Sequence, residues 1–125
     1  MMTRLWLSGL MLMAAGAARA DFEAGLRAAG ALCQEKKHEE AIAAYLKLGE
    51  GRTDPEERYR AVSAAAACAR LHLGSEAKAL DLCQRIEAQP YVKACRAMVY
   101  QWASSPAQVV AEFRDEDFSA WPESL

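Results

Sequence analysis

From Asp21 onward the apolar residues recur with the period of a helix, in runs separated by short breaks. Phe22, Leu26, Ala29, Leu32 and Cys33 predict a first helix that ends in the polar run Gln34-Glu35-Lys36-Lys37. Ala41, Ile42, Tyr45 and Leu48 predict a second, stopped by Gly49 and Gly51. Asp54-Pro55 reads as the start of a third: Asp can accept from first-turn amides, Pro has no amide to leave unpaired, and Glu56 and Glu57 meet the positive end of the dipole. This helix runs to about Leu73, with Tyr59, Val62, Ala66, Ala69 and Leu73 on one face. After Gly74, Ser75 caps a fourth helix carrying Ala79, Leu80, Cys83 and Ile86, and Gln89-Pro90 ends it. Tyr91, Val92, Cys95, Met98, Val99 and Trp102 then form the clearest amphipathic stripe, which turns Cys95 toward the core. Ser104-Ser105-Pro106 opens a short sixth helix with Val109, Val110 and Phe113. No stretch alternates with period two for long enough to make a sheet, so the expected class is all-α with about six helices.

The segment before this pattern is different. Met1 to Ala20 has one early charge at Arg4, an apolar run from Leu5 to Ala18, and Ala18-Arg19-Ala20 ahead of Asp21, the layout of a secretory signal with its cleavage site. The apolar run of 14 residues is short of the ~20 a spanning helix needs. No cysteine stands at the cleavage site for a lipid anchor, since the first is Cys33. The expected layout is a signal peptide over 1–20, a helical domain over 21–114 and an acidic aromatic tail over 115–125. The mature protein is then exported from a bacterial cell, periplasmic or secreted, without integral membrane insertion.

Charge narrows the function. Losing Arg4 and Arg19 takes the 15 basic residues to 13, against 17 acids, which excludes a strongly basic nucleic-acid binder. Export carries Cys33, Cys68, Cys83 and Cys95 to an oxidising compartment, where an even count favours disulfides; four cysteines allow three pairings. Cys68 and His72 are four apart and share a helical face that Cys33 could approach. No C-x-x-C accompanies them, and no second Cys/His pair is read as ligands. His38, between Lys37 and Glu39, reads as a solvated residue. Metal binding is therefore set aside and no cofactor is expected. The chain has two histidines, no G-x-S-x-G, no phosphate loop and no metal motif, so no enzyme is expected either.

Self-comparison yields the most specific pattern. Ala29 and Leu32 are followed by Ala41 and Tyr45, with the two alanines twelve apart; Ala67 and Ala79 repeat that separation, and Cys83 lies four beyond Ala79 as Tyr45 lies four beyond Ala41. Pro55 and Pro90 fall near the end of each unit. The stretch Leu32 to Leu48 resembles the turn and second helix of a tetratricopeptide (TPR/Sel1-like) repeat, and the resemblance extends over roughly Phe22 to Phe113, with a partial third unit through Ala97, Tyr100, Val109 and Phe113. Gly25, Ser63, Arg70 and Cys83 depart from the family pattern. The units are 38 residues apart by Ala41 and Ala79, against ~34 in the family, which places the extra length around Glu50 to Thr53 and lengthens the third helix.

The resemblance implies a short right-handed superhelix of helical hairpins, with Ala29, Leu32, Ala41, Tyr45, Ala67 and Ala79 as repeat-packing positions. Its stacking implies that Cys33 pairs with Cys68 and Cys83 with Cys95. It also implies a non-catalytic scaffold that holds a protein or extended peptide, or associates with itself. Candidate partner-binding residues on the inner face are Leu26, Gly30, Gln34, Ala64, Leu71, His72, Met98 and Gln101, each of which could equally be packing. The alternatives are a disulfide-stabilised structural protein and a Cys/His metal-binding exported protein. In the tail, Phe118 and Trp121 are placed to cap the end of the sixth helix, with free docking as the alternative.

Overall fold

The computed structural model describes residues 20–101, 106–123 and 125, with the backbone alone at 106, 108 and 109. Residues 1–19, where the signal peptide is expected, Trp102, Ser104-Ser105 and the side chain of Val109 lie outside this description. Among the described residues the chain is all helical, with six α-helices and no strand. They are α1 (residues 20–34), α2 (His38–Glu50), α3 (Pro55–His72), α4 (Glu76–Gln84), α5 (Tyr91–Tyr100) and α6 (Pro106–Phe113); a 3₁₀ turn follows at Phe118–Ala120. None is long and apolar enough to cross a membrane.

Local chemistry sets the helix starts. Asp54 accepts from the Glu56 amide, with Pro55 in the first turn. Ser75 accepts from the Lys78 amide at 3.1 Å. Gly74, at φ +66, supplies the left-handed residue that lets the chain reverse between α3 and α4. At 18 residues, α3 is the longest helix from α2 onward.

Contacts between particular residues give the helix directions. The end of α2 lies against the start of α1, where a Cβ built on Gly25 would stand 2.8 Å from Leu48 Cδ1. The start of α2 meets the end of α3, where the Cys68 thiol reaches the His38 carbonyl at 3.8 Å. Both neighbours of α2 therefore run opposite to it. Glu23 and Arg60 pair near the starts of α1 and α3, with N–O distances of 2.7 and 3.2 Å, while Cys33 and Cys68 meet near their ends. Those two helices run side by side in one direction. Tyr59 and Tyr91, with ring centroids 5.6 Å apart, align α3 with α5 in the same way. Helix α4 returns between them and packs against both.

The core forms along these seams. Ala29, Ala41, Ala61, Ala65, Ala66, Ala69 and Ala79 are fully buried, so the backbones approach closely and little side-chain volume separates them. Phe22, Val62, Ile86, Val99, Cys83 and Cys95 supply the larger buried groups. Leu32 and Tyr45 are half-buried and pack against this cluster, and Ala67 is half-buried.

Three expectations need correction. Gly49 does not stop α2: it lies in the last turn, where a Cβ would stand 3.0 Å from Val62 Cγ2, and its missing side chain lets α3 approach. Leu73 is not on the core face but 37% exposed, because it caps α3 where the chain turns away at Gly74. Ile86 lies beyond the end of α4 yet is buried, carried inward by the turn.

The tail folds back. Lys93 of α5 donates to Glu116 at 2.6 Å, and the Trp121 indole donates to the other Glu116 oxygen at 2.9 Å. Arg96 of α5 pairs with Glu112 of α6 at 2.6 Å. Phe113, Phe118 and Trp121 form one aromatic cluster, with Phe118 and Trp121 centroids 4.9 Å apart. Phe118 remains 54% exposed, so the cluster covers the end of α6 without being sealed.

Candidate functional site

The four cysteines separate into two different environments. Cys83 and Cys95 are fully buried and joined as a disulfide between α4 and α5. Cys33 and Cys68 are thiols whose sulfurs lie 3.2 Å apart. The expected second pairing is thus brought together by the side-by-side run of α1 and α3, but no bond joins it in this structure.

Two imidazoles adjoin these sulfurs. Cys33 stands in the last turn of α1, His38 opens α2 just after the α1–α2 turn, and Cys68 and His72 occupy successive turns at the end of α3. His38 Nδ1 is 3.7 Å from Cys33 Sγ and 3.9 Å from Cys68 Sγ. The His38 and His72 rings stack with centroids 4.4 Å apart and planes 4° from parallel. One ligand-type atom each from Cys33, His38 and His72 falls within 4.8 Å of the others. An open cavity of about 320 Å³, also bordered by Gln34 and Lys36, gives access to this side of the cluster. Lys36 adopts φ 65 in the α1–α2 turn, the left-handed conformation that reverses the chain there.

Burial and electrostatics divide the cluster. Cys68 is buried, and burial together with its hydrogen bond to Cys33 pushes its thiol up to about 12. Tyr45 lies on the α2 side of the cluster; burial, then the charge that Cys33 and Cys68 would carry as thiolates, raises its hydroxyl above the ordinary value of 10.0. Burial therefore disfavours the thiolate of Cys68. The dyad fits two kinds of chemistry: closure to a disulfide, and donation to a cation able to stabilise thiolates.

The structure revises the sequence reading of His38. It is half-buried against two sulfurs, and it supplies the second Cys/His pair whose absence had set metal binding aside. The only signal in the sequence was a histidine five residues after a cysteine. That spacing crosses a helix end, where face-sharing rules do not apply.

The candidate partner-binding residues fall in several places. Gln34 and His72 border the same cavity. Leu71 is exposed at 53%, and Gln101 is exposed just after α5. Leu26 and Ala64 are half-buried on α1 and α3, and Met98 packs against the core from α5. Gly30 turns toward α2, where a Cβ would stand 3.4 Å from Tyr45 Oη. A separate apolar groove of about 460 Å³ lies between α1 and α2, bordered by Ala28, Leu32, Ala44 and Leu48 among others.

Compared with known proteins, the chain matches no family model, no curated protein and no solved structure.

Proposed function

We propose that this is an exported, non-catalytic scaffold of tetratricopeptide type that holds a peptide or protein partner against the faces of α1, α3 and α5. The observation that supports the reading is the alternation of helix directions: α1, α3 and α5 run together, α2 and α4 run back, and fully buried alanines occupy the seams. Stacked hairpins of this kind place the odd-numbered helices side by side and leave them a shared surface. Leu71, a large apolar side chain left 53% exposed on α3, and the exposed amides of Gln34 on α1 and Gln101 just after α5 are the side chains that would meet such a partner.

Site-specific photocrosslinking in the exporting cell tests this. A photoreactive residue at Gln34, Leu71 or Gln101 is expected to trap one common polypeptide, whereas the same residue at exposed Ala43 on α2 or Lys78 on α4 is expected to trap none. Equal yields from both sets, or none from the first, would refute the assignment and leave a structural role for the fold.

A further inference from the structure

We propose that Cys33, His38, Cys68 and His72 form a closed, four-ligand site for a zinc-class d¹⁰ cation. The proposal does not depend on the scaffold reading. Two thiols and two imidazoles are the donor set that tetrahedral zinc takes in structural sites. Around such an ion, with sulfur at ~2.3 Å and nitrogen at ~2.0 Å, neighbouring ligand atoms stand roughly 3.3–3.8 Å apart. The separations of 3.7 and 3.9 Å from His38 Nδ1 to the two sulfurs already lie close to that spacing. The sulfurs, at 3.2 Å, need to open by about half an ångström. Cys33, His38 and His72 offer ligand atoms within 4.8 Å of one another, and Cys68 joins them through Cys33 and His38; closing the set requires the exposed His72 ring to turn out of its stack with His38 toward Cys68.

The charge balance also fits. Binding displaces one proton from each thiol to solvent, and two thiolates then neutralise a dication exactly once each, so the half-buried site carries no net charge. Because all four ligands come from the protein, no position is open for substrate. The site is a clamp, joining the end of α1, the start of α2 and the end of α3.

The test is Co(II) titration of the reduced full chain in chelator-free, oxygen-free buffer. The expected result is one equivalent bound, with tetrahedral d–d absorption and thiolate-to-cobalt charge transfer, both bleached by Zn(II), and a rise in melting temperature on loading. Cys33→Ser and Cys68→Ser should lose the charge-transfer band in part. His38→Gln and His72→Gln leave the buried core untouched and should weaken binding by about tenfold or more with helical content unchanged. An octahedral spectrum without charge transfer, or affinity unchanged in both histidine variants, overturns the proposal. So does isolation from zinc-supplemented cells of a chain in which Cys33 and Cys68 are joined as a disulfide, since two ligands are then consumed.

Discussion

Opening the Cys83–Cys95 bond should remove a large part of the stability of this small domain. The bond closes a loop with a sequence separation of 12, made of the end of α4, the turn through Gln89-Pro90 and half of α5. In the chain-entropy model, a loop of that size restricts the unfolded ensemble by about 3 kcal/mol. A domain of this length has in total about 5–10 kcal/mol. Both sulfurs are fully buried, so the crosslink is also isolated from solvent reductants until the helices part. At roughly 4–8 °C per kcal/mol for so short a chain, losing the bond should lower the melting temperature by roughly 12–24 °C. The measurement is thermal circular dichroism with and without reductant, on a Cys33→Ala/Cys68→Ala background so that reduction touches one bond alone, alongside Cys83→Ala/Cys95→Ala. A drop below about 4 °C, equivalent to under ~1 kcal/mol, would refute the reasoning, because the unfolded chain would then already hold this loop closed.

Further outcomes follow from the packing and the tail. Ala41→Leu and Ala79→Leu insert a side chain where none fits and should each cost about 1–3 kcal/mol in denaturant unfolding, whereas Ala43→Leu at an exposed α2 position should be near neutral. Deleting residues 118–125 removes the Phe118 and Trp121 rings from Phe113 and should cost about 1–2 kcal/mol without any partner present, as neither ring is fully buried; an unchanged melting curve would show that the tail does not cap α6. Glu116 is held below its ordinary value of 4.5 by hydrogen bonds from Lys93 and then Trp121. Its contribution is therefore complete above that value and lost as pH falls through the lowered one, so the Trp121 indole resonance should shift toward its position in a Glu116→Gln variant only on acidification below the ordinary carboxylate range.

Most of the helices were legible in the sequence because their causes are local. Asp54-Pro55 and Ser75 mark helix starts through hydrogen bonds to amides two and three residues away, and the stripe of Val92, Cys95 and Val99 states which side of α5 is buried before any neighbour is known. Of the positions joined by the twelve-residue spacings, Ala29, Ala41 and Ala79 are fully buried and Ala67 is half-buried. Tertiary structure decided the rest. Gly49 reads as a stop by propensity, yet the approach of Val62 gives it a place inside α2. Leu73 satisfies the α3 stripe but has nothing to pack on where the chain turns away. His38 is surrounded by charged residues in sequence and by sulfur in space, because α1 and α3 lie side by side and bring Cys33 and Cys68 together from 35 positions apart. Periodicity reports which face of a helix is apolar; it carries no information on which other helix meets that face, and the chemistry of this cluster depends on that meeting.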